Sequence, residues 1–363
     1  MKALSLLIKP SSSSCNLRCK YCFYADVSDN RETKNYGMMD LGTLEELVKK
    51  AFDYADTHIQ FAFQGGEPML SGLAFFRQFI ALQSKYNRKN ISVSNAIQTN
   101  GTLIDAEWAK FFKENGFLVG VSLDGVKQVH DENRVDAKGS GTFDQVIENI
   151  GILEQYGAQY NILTVINRQN CRFIGKIYDF FKRQGYGFLQ FIPCIDDFGE
   201  SGPYALSARQ LQIFLNTLFD LWFGDFLQGR YVSIRDFDNY LNILKGRMPE
   251  NCSKAGVCGR YYTVEADGTL FPCDFYCIDK WKIANIKDTD FAALEENEVT
   301  KRFIGDSRLL SDGCLKCKYH FICRGGCKRD REPDYTKNKY CEAYYNFFDY
   351  AIDRMLYIAK NTN

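Results

Sequence analysis

Apolar residues in the first two thirds of the chain follow two alternating spacings, which predict strands followed by helices. Short apolar runs rich in β-branched and aromatic residues predict six strands. Between them, apolar residues recur at helical spacing behind Thr43, Thr142 and Ser207, each followed three residues later by Glu or Gln, as at a helix start. The predicted strands are Ala3–Lys9, Ile59–Gln64, Ile91–Gln98, Phe117–Leu123, Tyr160–Ile166 and Phe188–Pro193.

Six strands that alternate with helices favour an α/β fold, in which a parallel sheet is curved into a partial (β/α)6 TIM-like barrel. We expect functional groups at the carboxyl ends of its strands. After about Gly246 cysteines become dense and helical periodicity weakens. The sequence therefore predicts one domain over residues 1–235 and a cysteine-rich domain over residues 236–363, closed by an amphipathic helix at Tyr344–Ala359.

Charge and composition exclude several classes of function. The 363 residues include 45 Lys and Arg against 45 Asp and Glu, so no basic excess favours nucleic-acid binding. No apolar stretch approaches the roughly 18 residues of a membrane helix, and no signal peptide is evident, so we expect a cytoplasmic protein without membrane attachment. With only three His, a site built from several histidines is nearly excluded. The 14 Cys, in a compartment that keeps thiols reduced, indicate metal binding or catalysis.

Three of these cysteines, Cys15, Cys19 and Cys22, form a C-x3-C-x2-C motif just after the first predicted strand. A 4Fe–4S cluster normally takes four cysteines, so three ligands would leave one iron open for chemistry. A zinc knuckle that lacks its fourth ligand is the alternative, although neither a His nor a further Cys stands close by. The motif alone favours an iron–sulfur site.

With the polar segments at the next strand ends, this motif resembles the radical S-adenosylmethionine (SAM) superfamily. Those segments, each of which alone is typical of a turn or a surface residue, are Gly65-Gly66-Glu67-Pro68, Gln98-Thr99-Asn100-Gly101-Thr102, Ser122-Leu123-Asp124-Gly125 and the later Arg134. The resemblance implies that the cysteine loop carries a 4Fe–4S cluster whose open iron binds SAM.

The same resemblance implies the SAM contacts. Tyr21 would meet the adenine through its backbone, and Gly66 would hold the methionyl amino group. Ser122 and Arg134 would bind the SAM carboxylate, an anion that suits a hydroxyl and a guanidinium. Ile195, after the sixth strand, would lie against the adenine, although it could equally be a core residue.

Nine further cysteines lie in the last third of the chain, and eight of them have a spacing that alone slightly favours two zinc sites. Behind a radical SAM core, their order instead resembles the SPASM extension, which carries two auxiliary 4Fe–4S clusters. The family pattern assigns the first cluster to Cys252, Cys258, Cys273 and Cys327, and the second to Cys314, Cys317, Cys323 and Cys341. We expect the remaining Cys171, Cys194 and Cys277 to be small buried apolar side chains.

Over its whole length the chain is most similar to the anaerobic sulfatase-maturating enzymes. The segments that carry this resemblance include Leu6-Leu7-Ile8-Lys9-Pro10, Tyr21-Cys22-Phe23-Tyr24, Phe61-Ala62-Phe63-Gln64 and Phe271-Pro272-Cys273-Asp274-Phe275-Tyr276. It implies radical oxidation of a Cys or Ser in a sulfatase to Cα-formylglycine, with SAM and three 4Fe–4S clusters as cofactors. Asp274, which directly follows a cluster ligand, is the candidate base, although it could instead only brace the cluster loop.

The substrate is expected to be an extended sulfatase segment, Cys/Ser-x-Pro-x-Arg, and electrons would come from a low-potential reductant such as flavodoxin or ferredoxin. Gln64, Tyr24 and the acidic insertion Asp196-Asp197-Phe198-Gly199-Glu200 are candidate substrate contacts, although such an insertion is more often a solvated loop.

Two alternative functions remain. One is a SPASM maturase that forms a thioether or carbon–carbon crosslink in a ribosomal peptide, and the other is a non-catalytic electron-transfer or zinc-stabilised binding protein.

Overall fold

A computed structural model describes residues 1–199 and 201–362 of the chain. The strands are β1 Ala3–Ile8, β2 His58–Phe63, β3 Ser92–Thr99, β4 Phe117–Ser122, β5 Gln159–Ile166, β6 Phe188–Pro193, β7 Ser233–Ile234, β8 Tyr261–Val264, β9 Thr269–Phe271 and β10 Ala284–Asn285. The first six match the six predicted strands to within one or two residues at each end.

The helices also follow the predicted alternation. They are α1 Phe23–Asp29, α2 Leu41–Tyr54, α3 Gly72–Tyr86, α4 Ala106–Glu114, α5 Lys127–Asn133, α6 Phe143–Tyr156, α7 Ile174–Arg183, α8 Ala208–Leu227, α9 Arg235–Leu244, α10 Cys252–Ala255, α11 Phe291–Glu296, α12 Glu298–Asp306, α13 Asp312–Leu315, α14 His320–Cys323 and α15 Cys341–Asn361. Among the residues described, no helix combines the length and the apolar character that a membrane span requires.

One predicted helix start is wrong. Thr43 and Glu46 do not cap α2, because Asp40 stands three residues earlier and its carboxylate accepts the Thr43 backbone N–H at 2.7 Å. The Thr43 hydroxyl in turn donates to Asp40 at 2.8 Å. The pair at Ser207 and Gln210 forms the predicted capping box at the start of α8.

The chain forms two compact units that interleave along the sequence. The first comprises Met1–Leu123, His130–Tyr160 and Arg260–Phe303, and the second comprises Asp124–Val129, Asn161–Gly259 and Ile304–Asn363. The division predicted after residue 235 stays a prediction.

In the first unit, β1, β2, β3 and β4 run parallel and in sequence order. The later strand β8 joins the free edge of β1, also in parallel, and β9 and β10 follow it as antiparallel strands. The core beside this sheet is aromatic: the Phe63 ring meets Phe76 and Phe79 edge-on at centroid distances of 4.9 and 4.8 Å. The carboxyl ends of β1 and β8 are therefore neighbours.

The second unit has its own parallel strands, β5, β6 and β7, with α8 and α15 packed on each other. Phe219 of α8 meets Phe347 of α15 edge-on at 5.9 Å. Near the end of α8, the buried carboxylate of Asp225 accepts hydrogen bonds from Tyr178 at 2.9 Å and from Lys182 and Arg230, each at 3.0 Å.

We expect Asp225→Asn to lower the free energy of unfolding by about 1–3 kcal/mol, because it removes the charge that these donors need. Burial alone would raise the pKa of Asp225, but hydrogen bonds from Lys182 and Tyr178 hold it below its ordinary value. An acid whose folded pKa is lowered stabilises the protein above its unfolded pKa, and this stability is lost as the pH falls through the folded pKa.

Urea denaturation between neutral pH and about pH 3 tests this, since unfolded Asp has a pKa of about 3.9. Wild type should lose stability below about pH 4, and the variant should lose less of it. Asp179→Asn, which breaks the exposed pair with Arg183 on α7, is the matched control with little expected effect. Equal effects of the two substitutions would contradict the prediction.

Candidate active site

The three cysteines of the first motif lie on the loop between β1 and α1. The Cys22 backbone N–H donates to the Cys19 carbonyl at 3.2 Å, which folds the loop tightly. The Cys15 sulfur accepts the Leu17 N–H at 3.3 Å and lies 3.8 Å from the Asn100 amide. All three thiols are partly exposed and free of disulfides.

The turn after β2 holds this loop by backbone contacts. Gly66 and Glu67 donate their backbone N–H groups to the carbonyls of Ser12 at 2.9 Å and Ser14 at 2.8 Å. A Cβ atom on Gly66 would stand 2.0 Å from the Ser14 carbonyl oxygen. Only glycine allows this approach.

Glu67 has a structural role that the sequence motif did not reveal. Its buried carboxylate accepts the backbone N–H groups of Met69 at 3.1 Å and Asn100 at 2.8 Å and the Thr99 hydroxyl at 2.9 Å. Burial raises the pKa of Glu67 to about 7. This carboxylate joins the turn after β2 to the end of β3. The only sequence signal for it is an acid in the turn that follows β2.

The predicted SAM contacts lie in both units. In the first unit, Arg18 and Lys20 donate backbone N–H groups to the carbonyls on either side of Arg134, at 2.7 and 3.0 Å. This pairing brings the buried Arg134 guanidinium to 5.5 Å from the Tyr21 ring centroid. Ser122 ends β4, where its hydroxyl accepts a hydrogen bond from Gln98 at 3.1 Å. In the second unit, Ile195 follows β6 and is half-buried.

Asp274 lies just after β9, in a short turn behind Cys273. It is 6% exposed, and its Oδ2 accepts the Tyr24 hydroxyl at 2.6 Å. Burial raises the pKa of Asp274, while the Lys9 charge and the Tyr24 hydrogen bond oppose the rise. Among the residues described, Oδ1 has no hydrogen-bond partner. The carboxylate is thus fixed at one oxygen and open to a proton at the other.

A buried ion cluster, which sequence patterns did not predict, stands beside this carboxylate. Glu265 Oε1 lies 2.8 Å from Lys9 Nζ and 2.6 Å from Arg31 NH1, and all three side chains are at most 1% exposed. The Lys9 ammonium also lies 4.9 Å from the Tyr24 ring centroid. Of these three residues, only Lys9 stands at the end of a predicted strand, and the sequence patterns gave no signal for Arg31 or Glu265.

Seven of the eight predicted auxiliary ligands lie in the second unit, where they form two spatial groups. Cys252, Cys258 and Cys327 line one small cavity. Burial raises the pKa of the Cys327 thiol, and nearby Cys252 and Cys258 raise it further. The structure therefore places Cys327 with residues about 70 positions earlier, not with its sequence neighbours.

The other group consists of Cys314, Cys317, Cys323 and Cys341. Burial raises the pKa of Cys323 to about 11, with further contributions from Cys341 and Cys314. Burial also raises the pKa of Cys341, and both Cys314 and Cys317 act on it in the same direction. Cys273 lies in the first unit and is half-buried, whereas Cys171, Cys194 and Cys277 are buried, as predicted.

The donor chemistry of these thiols fits iron–sulfur clusters, which cysteine thiolates hold. None of the 14 cysteines, all of which lie in the described part of the chain, forms a disulfide bond. Within the described ranges, no group of three His, Cys, Asp or Glu side chains has the geometry that holds a single metal ion.

The predicted substrate contacts differ in what they touch. Tyr24 gives its hydroxyl to Asp274, so it orients that carboxylate. Gln64 follows β2, where its backbone N–H donates to the Ile8 carbonyl at 2.9 Å. In the acidic insertion, Asp196 pairs with Lys339, and its carbonyl accepts from Arg329 at 2.9 Å. Glu200 of this insertion lies outside the described residues.

We expect Gly66→Ala to lower the free energy of unfolding by about 1–3 kcal/mol, because the new methyl group overlaps a carbonyl oxygen that cannot retreat. Gly151→Ala within α6 is the control, since no atom stands within 4 Å of its new methyl group and alanine favours a helix. The control should be neutral or stabilising in urea denaturation. A Gly66→Ala protein as stable as wild type would contradict the close approach described above.

Comparison with known proteins gives matches over the whole chain. Residues 10–181 match the radical SAM superfamily, and residues 252–318 match an iron–sulfur cluster-binding domain, SPASM. The cysteine-type anaerobic sulfatase-maturating enzyme of Clostridium novyi (strain NT) is 51% identical, over 99% of this chain and 98% of its own. The enzyme of the same description from Clostridium perfringens (strain 13 / Type A) is 46% identical, over 99% of this chain and 100% of its own.

A solved structure described as native anSMEcpe with bound AdoMet and Cp18Cys peptide superimposes with a TM-score of 0.94 at 44% identity, over 99% of both chains. These matches confirm the predicted α/β fold with its SPASM extension. The chain belongs to the anaerobic sulfatase-maturating enzymes of the radical SAM superfamily.

Proposed function

We propose that this enzyme oxidises a cysteine in a sulfatase segment, Cys-x-Pro-x-Arg, to Cα-formylglycine. The observation that carries the proposal is the Asp274 carboxylate, which is buried, held by Tyr24 at one oxygen and open at the other, directly after the predicted ligand Cys273. A base so placed suits removal of a thiol proton in a water-poor site. The relatives' description as cysteine-type enzymes supports cysteine over serine as the target.

The cofactors are SAM and three 4Fe–4S clusters, supported by the two family matches. When bound, SAM and the cluster of the first loop would supply the radical chemistry that removes a hydrogen atom from the target Cβ. The proposed ligands of that cluster are Cys15, Cys19 and Cys22. For the auxiliary clusters they are Cys252, Cys258, Cys273 and Cys327, then Cys314, Cys317, Cys323 and Cys341.

In the proposed reaction, residues of this chain would bind SAM and accept the proton of the substrate thiol. Arg134, whose neighbours are tied to the cysteine loop, would bind the SAM carboxylate together with Ser122. Gly66 would present its backbone to the methionyl amino group, with Tyr21 and Ile195 at the adenine.

Oδ1 of Asp274 would take the thiol proton, while Tyr24 fixes Oδ2. Loss of one hydrogen atom, one proton and one electron converts the cysteine to a thioaldehyde, which water hydrolyses to the aldehyde. The auxiliary clusters, held by the ligands named above, would supply the acceptor for that electron. Gln64 remains our candidate for a peptide contact, since it stands at the end of β2.

The proposed partners are a sulfatase polypeptide and an external low-potential reductant of the flavodoxin or ferredoxin type. Equal numbers of acidic and basic residues give no support for nucleic-acid binding. A cytoplasmic location is our proposal on the basis of the free cysteines.

The direct test is anaerobic. The full chain is reconstituted with iron and sulfide, reduced, and incubated with SAM and a Cys-x-Pro-x-Arg peptide. Aldehyde should form in proportion to 5′-deoxyadenosine. Cys19→Ala should abolish both products while the auxiliary iron stays bound. Loss of two hydrogens from the peptide without an aldehyde would instead indicate a crosslinking maturase.

We expect Asp274→Asn to lower the rate of aldehyde formation by about 10²-fold or more, because an amide cannot accept the thiol proton. Iron content and SAM cleavage should persist, as measured by iron analysis and 5′-deoxyadenosine release. Asp279→Asn removes an exposed carboxylate from the following turn and is the matched control. Unimpaired aldehyde formation by Asp274→Asn would remove Asp274 from the mechanism.

A further inference from the structure

Two buried cations border the cavity that Cys252, Cys258 and Cys327 line. Lys328 and Arg331 both contribute to its wall, and each is only 1% exposed. The proposed oxidation uses neither of them. Since an ionised side chain is seldom buried without a balancing anion, both need an explanation.

Arg331 is the more unusual of the two. Its NH1 donates to the carbonyls of Leu309 at 2.9 Å and Tyr335 at 3.2 Å, and its NH2 donates to the Ser307 carbonyl at 2.8 Å. Among the residues described, Nε has no acceptor and no carboxylate forms an ion pair with the guanidinium. Carbonyl groups satisfy the N–H donors but do not neutralise the charge, and the burial of an unpaired charge is strongly unfavourable.

Ser307 connects this guanidinium to the cysteines. Its carbonyl accepts from Arg331, and its buried hydroxyl accepts the Cys258 backbone N–H at 2.9 Å. The same hydroxyl donates to the Ile304 carbonyl at 2.6 Å. Hydrogen bonds to backbone carbonyls therefore hold Arg331 at a fixed position near the thiols of Cys252, Cys258 and Cys327.

Lys328 is more nearly compensated. Its ammonium lies 3.5 Å from the Asp306 carboxylate and 4.3 Å from the Tyr335 ring centroid. Burial raises the pKa of Cys258, and the charges of Lys328 and Arg331 oppose that rise. Asp330, near Cys327, acts in the opposite direction on that thiol. The net positive charge at this cavity thus comes mainly from Arg331.

We propose that Arg331, with a smaller contribution from Lys328, raises the reduction potential of the iron–sulfur cluster that Cys252, Cys258 and Cys327 help to hold. This inference rests on the proposed function, which places a cluster there. Thiolate ligands make such a cluster anionic, and one-electron reduction adds another negative charge. A fixed buried cation stabilises the reduced form more than the oxidised form, because charges interact strongly where water is excluded.

The effect suits the electron balance of the proposed oxidation. The substrate radical loses one electron and is oxidised, the cluster gains that electron and is reduced, and the thiol proton goes to Asp274. A higher potential at the cluster makes this transfer more favourable. Arg331 acts through the cluster and does not touch the substrate, so it is a positioning residue and not a catalytic one.

The test is a redox titration of the anaerobically reconstituted full chain, followed by electron paramagnetic resonance. In Arg331→Met, we expect the midpoint potential of one auxiliary signal to become more negative. At a fixed potential, the ratio of oxidised to reduced cluster should rise about tenfold, which corresponds to a midpoint shift of about 59 mV. Arg331→Lys should restore most of the wild-type value, and Lys328→Met should give a smaller shift of the same sign. Arg183→Met, which removes an exposed charge from α7, is the control without a shift.

An unchanged midpoint in Arg331→Met with full iron content would overturn the inference. If Arg331→Met loses iron, Lys328→Met decides by the sign of its shift, since it leaves the carbonyl contacts of Arg331 in place. Cys252→Ala tests the cluster assignment separately from the role of Arg331. If this variant keeps all of its iron and all wild-type signals, the cluster assignment is wrong. If it loses one signal, the cluster assignment stands, and the midpoints of the Arg331 and Lys328 variants alone decide the role of Arg331.

Discussion

One buried carboxylate, Glu265, holds the candidate base site together. It follows β8 and receives Lys9 from the end of β1 and Arg31 from beyond α1, so three distant segments meet at a single oxygen. Loss of either cation would leave a buried charge without full compensation, which costs about 3–5 kcal/mol. Because Lys9 also lies against the ring of Tyr24, this ion cluster fixes the tyrosine that orients Asp274.

The fold of the first six strands could be predicted because each strand is long enough to show its apolar pattern. The strands β8, β9 and β10 have only four, three and two residues, and no periodicity is visible over such lengths. The pairing of β8 with β1 also joins residues more than 250 positions apart, which local patterns do not encode. For this reason the sequence identified Asp274 only by its position directly after Cys273 and did not reveal the short strands that position it.

The residues of the candidate site also divide into those that local sequence patterns identify and those that only the tertiary structure reveals. Short motifs identified the cysteine loop and the glycine pair, because their spacing is itself the signal. The buried ions Lys9, Arg31 and Glu265 have no such signal, since a charged residue is expected at the surface unless its surroundings are known. The grouping of Cys327 with much earlier cysteines is likewise a tertiary fact. For the cysteines and for Asp274, the residue type suggests the chemistry. Their burial and neighbours in the structure indicate which groups can act together.

The parallel pairing of β1 with β8 also sets the order in which the site can form during synthesis. Tyr24 and Asp274 are 250 positions apart. At about 5–20 residues per second, the ribosome needs roughly 12–50 s to deliver the second after the first. Throughout that interval one edge of β1 lacks its partner strand, and Lys9 has no carboxylate to neutralise it. The cysteine loop is thus made well before Asp274, the residue that would take the substrate's proton.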